Sequence, residues 1–505
     1  MDSEDDYEYS DQEDEYSVEQ DDDDEMEWSN EENPNAAPTQ SFKPMAGMKS
    51  GIRIMRAEEL RPVMERRVND VVDILGITSA AAAVLLREFN FSKEQLLEEY
   101  MLSSDHILKK AGVYNRCGNT VKVKPGRADC AICYDDFDTS EMMSMACGHQ
   151  FCMECWHDFC DNAINEGPAS VHTTCPNAQC REVVTEEEMS RALGSNSSQL
   201  TKFMDYQLRS FVESNALTRW CPGKGCDRIA SAESASAMEA EGNVASCSAC
   251  TTGFCMICGE EPHAPSTCKD LAKWNEKCRN ESETANWILA NTKSCPRCGS
   301  RIEKNQGCNH MTCSSCKHEF CWICMGDWSD HGASTGGYYK CNKFDSGTGA
   351  TKELDQSDAA KAKRDLDRYL HFYKRFHAHQ EAQNFAKKQL KETESRMIAL
   401  QESSDGAKWT DVEFLKTANE QLVECRRVLK YTYVYAFYMD LSPAMAMQRE
   451  RFEHHQEMLE RFTEHLSELS EKPLPEMDRT DVVNQTRVVD RFMKNILKYV
   501  DDGME

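Results

Sequence analysis

No stretch of the 505-residue chain approaches the ~20 consecutive apolar residues that a membrane-spanning helix needs, so no membrane partner is expected. The run "YTYVYAFYM" at 431–439 reads as a core helix instead. The opening residues, "MDSEDDYEYS", lack both the basic start and the apolar stretch of a secretory leader. Lysine and arginine are absent from residues 1–32, which hold 18 Asp or Glu and carry most of the −29 net charge. That head has no hydrophobic pattern either, which predicts disorder, as a solubilising tail or as a dock for a basic partner surface. A basic surplus is missing from the remainder too, which argues against a nucleic-acid partner. These absences lead to the expectation of a soluble protein of the cytoplasm, with the nucleus as a second compartment.

Cysteine is what the chain has in excess, 26 residues in all, and in a reducing compartment such pairs point to metal or catalysis rather than disulfides. A first block contains Cys130, Cys133, Cys147, His149, Cys152, Cys155, Cys175 and Cys180. A second contains Cys221, Cys226, Cys247, Cys250, Cys255, Cys258, His263 and Cys268. The third contains Cys295, Cys298, Cys313, Cys316, Cys321, Cys324, His331 and Cys341. Each block offers seven Cys and one His, enough for two tetrahedral zincs, so six Zn2+ are expected as cofactors.

Five cysteines remain outside this accounting. Cys160, Cys278 and Cys425 fall in helical patterns and Cys117 in a linker, where inert thiols are expected. Cys308, in "NQGCNHMTC", differs because it lies between two ligand pairs of one zinc, in a loop expected to be exposed. From the count alone it is a spare thiol, a ligand or a nucleophile.

At this point the sequence resembles a known family. The order of the first block is that of a RING, in which Cys130, Cys133, Cys152 and Cys155 share one metal and Cys147, His149, Cys175 and Cys180 the other. The stretches "CAICYDDF", "CGHQFCMECW", "SETANWILANTKSCPRCGSRIEKNQGCNHMTC", "HEFCWICMGDW" and "YTYVYAFY" are similar to those of RING-between-RING ubiquitin ligases of the Ariadne family. The resemblance implies a multi-domain chain of small zinc-stabilised α+β modules, flanked by an N-terminal three-helix domain and a C-terminal helical bundle. It places an acidic head and linker at 1–55, a ubiquitin-associated-like domain at 56–104 and a first RING at 126–184. An in-between-RING domain follows at 200–270, a helical linker at 271–294, a second RING with sequential ligand pairing at 295–341 and the Ariadne bundle at 352–505.

The resemblance also implies a mechanism. The first RING holds a ubiquitin-charged conjugating enzyme, with Ile132 and Pro176 matching the docking surface. Cys308 accepts ubiquitin as a thioester and passes it to a lysine of a protein substrate. Such an amine is only ~0.04% neutral at pH 7, so a base helps, and His310 is the candidate, oriented by Glu319. The Ariadne bundle is expected to cover the cysteine through Phe385 and Glu464, although Ala386 replaces an acidic residue of the family pattern. The three-helix domain implies docking to neddylated cullin-RING ligases. Arg181, directly after the last ligand of the first RING, departs from the family and leaves direct transfer from that RING as an alternative. A non-catalytic RING adaptor and a zinc-rich nucleic-acid protein are the competing classes; only the ligase needs Cys308.

Overall fold

The computed structural model describes residues 51–280, 292–304, 308–331, 341, 358–402, 413–472 and 476–504. The acidic head and the segments 281–291 and 342–357 lie outside the described residues. Four residues that the sequence assigns to the linker form a strand instead, β1 (Ile52–Met55). It pairs antiparallel with a strand 180 residues away, Ile52 opposite Ala232, because an alternating "IRIM" can satisfy an open sheet edge.

Three helices follow: α1 (Ala57–Leu75), α2 (Ser79–Glu88) and α3 (Lys93–Lys110). The boundaries obey capping chemistry. Gly76 ends α1 at φ +65°, and Thr78 and Ser92 each accept a backbone N–H at the start of the next helix. The unit runs six residues past the expected 104, and its core is not private. Leu60, Leu85, Leu86 and Leu96 pack with Phe211 of a later helix, whose ring meets Phe91 edge-on at 4.7 Å.

The first zinc block consists of two hairpins, β2 (Arg127–Asp129) with β3 (Asp136–Asp138) and β4 (Met142–Ser144) with β5 (Gln150–Cys152), followed by α4 (Met153–Asn165). Trp156 is fully buried there and its indole N–H donates to the Met143 carbonyl at 2.8 Å. The spacer at 185–214 is two helices broken at Gly194, α5 (Glu186–Leu193) and α6 (Ser198–Ser214). The middle block holds β6 (Thr218–Trp220), β7 (Ile229–Ala232), α7 (Ala235–Ala240), β8 (Val244–Ser246) and β9 (Gly253–Cys255), with sheet order β1-β7-β6. It ends in α8 (Cys268–Asn280). The expected helical linker stops short of its boundary, since β10 (Thr292–Ser294) pairs with β11 (Arg301–Glu303). Then β12 (His310–Thr312) pairs with β13 (Glu319–Cys321) over a small core of Met311, Phe320 and Trp322.

Among the described residues the tail holds four α-helices, α9 (Asp358–Glu402), α10 (Glu413–Tyr438), α11 (Ala446–Glu471) and α12 (Arg479–Asp501). Leu422, Val428, Phe452, Leu459, Leu466 and Val489 fill its centre. A second apolar cluster joins the tail to the middle block. Trp274 of α8 is fully buried among Tyr369, Tyr373, Phe376 and Phe437, with ring centroids 5.3–6.4 Å away.

Gly112 locks the three-helix unit to the first RING. Its carbonyl accepts the Val183 N–H at 2.9 Å, and a Cβ on it would meet the Arg181 carbonyl oxygen at 2.0 Å. Gly76→Ala, at φ +65° with nothing within 4 Å, is expected to cost only the ~1–2 kcal/mol of a left-handed alanine. Gly112→Ala, at φ +71°, also has to displace that carbonyl and lowers the first thermal unfolding transition further. Equal shifts for the two variants would show that the seam is not tight.

Candidate functional site

The C-x2-C pairs share one local device. In six of them the N–H four residues after the first Cys donates to that Cys carbonyl, and the Cys N–H donates to the carbonyl five residues on, all at 2.8–2.9 Å. The residue four positions on is left-handed: Tyr134, Thr251, Gly259, Gly299, Lys317 and Met325. Both sulfurs are thereby turned to one side of the turn. Only two of the six are glycines, so the pattern is invisible to a search for turn residues.

These turns assemble into tetrads. Cys130, Cys133, Cys152 and Cys155 form one set and Cys147, His149, Cys175 and Cys180 the other, in the alternating order of a RING. Pairing is sequential in the middle block, with Cys221, Cys226, Cys247 and Cys250 in one set and Cys255, Cys258, His263 and Cys268 in the next. Cys295, Cys298, Cys313 and Cys316 follow the same rule. Within each set the ligand atoms lie within 4.8 Å of one another. In the remaining set His331 Nε2 lies 3.4 Å from Cys324 Sγ, which also contacts Cys321 and Cys341. Thiolates and imidazole in such tetrads suit zinc. The imidazoles are oriented for it: His263 Nδ1 donates to the Ser266 carbonyl at 2.7 Å and His331 Nδ1 to that of Asp327 at 3.0 Å, leaving each Nε2 lone pair for a metal.

Cys308 belongs to none of these sets, and contrary to the sequence expectation it is not exposed. It is 6% accessible, covered by α11. The Asn309 backbone N–H and side-chain amide donate to the two oxygens of Glu464, both at 2.8 Å. Arg426 of α10 donates to the same carboxylate at 2.6 Å, and Lys304 holds the Asn309 side-chain oxygen at 2.8 Å. Burial alone would push Glu464 up; Arg426, Lys304 and the Asn309 N–H outweigh it and hold the carboxyl at about 2. For Cys308, burial and the Glu464 charge push the thiol well above its ordinary value, against a His310 N–H that donates to Sγ at 3.3 Å.

His310 lies at the start of β12, stacked on Trp328 with centroids 4.2 Å apart and planes 7° from parallel. Glu319 is brought close across the β12–β13 hairpin, 3.6 Å from His310 Nε2, and is more than half exposed. Trp322 packs in the small core of this module, and Lys293 donates to its carbonyl at 2.6 Å. Ile132 is 43% exposed on the turn of the first metal set, and Pro176, half-buried, follows Cys175 on the second. Phe385 is half-buried, and Ala386 packs into the bundle core. Cys160 and Cys425 are fully buried, and burial pushes both thiols up to about 12.

Sequence reasoning missed Arg426, Asn309 and, above all, Glu261. That carboxylate, two residues before His263, receives Lys430 at 2.6 Å, Gln383 at 2.8 Å and Lys387 at 3.3 Å from two tail helices. Burial opposes its ionisation, yet Lys430 and Lys387 hold it at about 2. Arg427 donates to the Pro262 carbonyl and Ser266 to that of Tyr431, so the tail clasps the last metal loop of the middle block. At the far end Arg375 donates to the Cys341 carbonyl.

Comparison with known proteins agrees with this geometry. A domain described as "E3 ubiquitin-protein ligase ARIH1, UBA-like domain" matches residues 62–101, and a RING-type zinc-finger matches 130–176. An IBR domain, a half RING-finger domain, matches 201–268, a further IBR domain 290–337, and an Ariadne domain 367–503. The chain is 35% identical over 440 residues to the E3 ubiquitin-protein ligase dbl4 of Schizosaccharomyces pombe, covering 87% of this chain and 84% of that one. It is 33% identical over 487 residues to the probable E3 ubiquitin-protein ligase rbrA of Dictyostelium discoideum, covering 92% and 90%. The identity to the E3 ubiquitin-protein ligase ariadne-1 of Drosophila melanogaster is 33% over 465 residues, covering 90% and 89%.

Two outcomes follow for the cysteines. Cys308→Ser should retain the full zinc content in metal analysis, whereas Cys313→Ser should lose metal and locally unfold its module. Equal loss in both would make Cys308 a ligand. Cys308 should also resist iodoacetamide at pH 8 in the full chain, because its thiol is buried and held protonated. Removing residues from about 350 onward should speed its alkylation roughly tenfold or more, with Glu464→Ala intermediate, as read by peptide mass mapping. Identical rates in the three proteins would mean that the tail does not shield the thiol.

Proposed function

The chain belongs to the Ariadne family of RING-between-RING ubiquitin ligases, and we propose that it carries ubiquitin as a thioester on Cys308 before passing it to a substrate lysine. Ubiquitin and a conjugating enzyme are its partners. One observation carries the thioester reading: a cysteine left over from every metal set sits beside a histidine whose Nε2 has no hydrogen-bond partner among the described residues. We assign six zincs to the six tetrads; their contribution is to hold the modules rigid.

The charged conjugating enzyme docks on the first RING at the exposed Ile132 and at Pro176. The Cys308 sulfur attacks the thioester carbonyl, the bond to the enzyme's sulfur breaks and that thiol leaves. Donor and acceptor are both thiols, so the exchange is close to thermoneutral. A lysine amine then attacks the new thioester and the Cys308 thiolate departs. His310, kept in place by the Trp328 face, accepts the amine proton at Nε2, and Glu319 supplies a nearby negative charge.

The docked tail is the inhibited form in this reading, since Glu464 covers Cys308 and disfavours its thiolate. The three-helix domain is assigned the recognition of a ubiquitin-like modifier on a neddylated cullin-RING ligase, supported by its exposed Ile74, Met101 and Leu102. The cytoplasm is the proposed compartment. An adaptor that only positions the conjugating enzyme would leave Cys308 dispensable, and the following experiment separates the two.

In the tail-truncated protein, Cys308→Ser should trap ubiquitin as an ester that survives thiol reductant and is cleaved by hydroxide. Cys308→Ala should form no adduct. His310→Ala should accept ubiquitin yet discharge it to lysine roughly a hundredfold more slowly, with partial recovery as rising pH supplies neutral amine. Substrate ubiquitination at the normal rate by Cys308→Ala would overturn the mechanism and favour direct transfer from the first RING.

A further inference from the structure

We propose that a cavity between the three-helix unit and the first RING binds a tetrahedral phosphate dianion, either free or as a phosphomonoester. The cavity, about 210 Å³, is lined by Arg87 and Glu88 of α2, Lys110 at the end of α3, and His172, Thr174 and Arg181 of the RING. That volume admits roughly seven waters, or a phosphate group with part of its carrier.

Arg87 is the built element of this site. The residue is half-buried as a whole; one terminal nitrogen of its guanidinium donates to the Val171 carbonyl at 2.5 Å, while its Nε–H is fully buried without a hydrogen-bond partner among the described residues. No carboxylate offsets it: burial is the one influence on its acidity, and it lowers the group to about 10. A buried cation with an unmet donor and no counter-ion is costly unless an anion comes to it. Glu88, the acid in the lining, is tied to Lys110 at 2.9 Å in an exposed pair that is cheap to rearrange. Glu182, the acid next to Arg181 in the chain, is turned away to Asn115 and Arg116. Arg181 is exposed and has no hydrogen-bond or ion-pair partner among the described residues.

The lining therefore carries three cations against one carboxylate, with the Thr174 hydroxyl and the His172 ring as further donors. A dianion with three free oxygens matches that excess and the fork of an arginine better than a carboxylate does. Its floor is fixed, since Val183 is hydrogen-bonded to Gly112 and Thr174 bridges Val183. A bound phosphate would staple α2 and α3 to the Thr174–Val183 bridge of the RING. This site is separate from Cys308, so its test stands apart from the transfer mechanism.

The full chain, in phosphate-free buffer at constant ionic strength, would be titrated with inorganic phosphate and, separately, with N-acetyl-phosphoserine amide. Thermal unfolding and phosphorus NMR line width give the readout. Saturable stabilisation by either probe is expected. Tighter binding of the phosphoserine derivative would identify a phosphorylated side chain as the source, and tighter binding of inorganic phosphate the free ion. Arg181→Gln and Lys110→Gln, both exposed and compatible with folding, should each weaken binding roughly tenfold. Absence of saturation with both probes, or unchanged titrations in both variants, would overturn the site.

Discussion

Each cysteine-rich module depends on four sulfur or imidazole atoms being drawn within 4.8 Å of one another. The second RING shows why. Its buried apolar core is Met311, Phe320 and Trp322, worth a few kcal/mol each at most, against ~1–2 kcal/mol of backbone entropy for every ordered residue. Such a module folds only when metal coordination is folding free energy. The left-handed residue after each pair, including Thr251, Lys317 and Met325, is a strained conformation that the same coordination sustains. Everything placed with respect to the tetrads inherits that rigidity. His310 starts a strand whose next ligand is Cys313, and Cys308 sits two residues before it, outside the constraint and so able to change state without loss of metal.

The Glu464 carboxylate imposes a second constraint of a different kind. A buried ion pair such as Glu464 with Arg426 contributes little net stability, because desolvation offsets the attraction, but breaking it on one side leaves a charge stranded. Here the carboxylate has donors from two bodies. Arg426 belongs to the tail, while the Asn309 N–H and amide belong to the second RING. Were the two to part, the Asn309 donors would be lost and water admitted while Arg426 stayed, leaving the carboxylate paired. One group thus both covers Cys308 and, through its charge, keeps the thiol protonated.

Cysteine spacing made the metal sets legible, because a tetrad needs four ligands from short loops and the chain spells them in order. Cys308 emerged by subtraction, and His310 and Glu319 do lie across one hairpin. What stayed hidden depends on partners far along the chain. Glu261 meets Lys430 at a separation of 169 residues, and no local pattern in "GEEPHAP" announces it. β1 is four residues long and finds its sheet 180 residues later, so it reads as linker. The burial of Cys308 was misread for the same reason: a loop held by metal at both ends is exposed only if nothing distant covers it.

The contacts of the tail differ in kind at their two ends. Toward the middle block they are apolar and aromatic, with Trp274 enclosed by tail rings and Tyr431 edge-on to His263. Glu261 adds a charged hub, accepting from Lys430 and Gln383 of two tail helices. Toward Cys308 the described hydrogen bonds run from Asn309 to the Glu464 carboxylate, with Lys304 holding the Asn309 amide oxygen. Water substitutes readily for polar contacts and poorly for buried aromatic area. On the proposed reading, in which the docked tail is the inhibited form, opening would begin at Glu464, with the bundle still anchored on the middle block through Trp274 and Glu261.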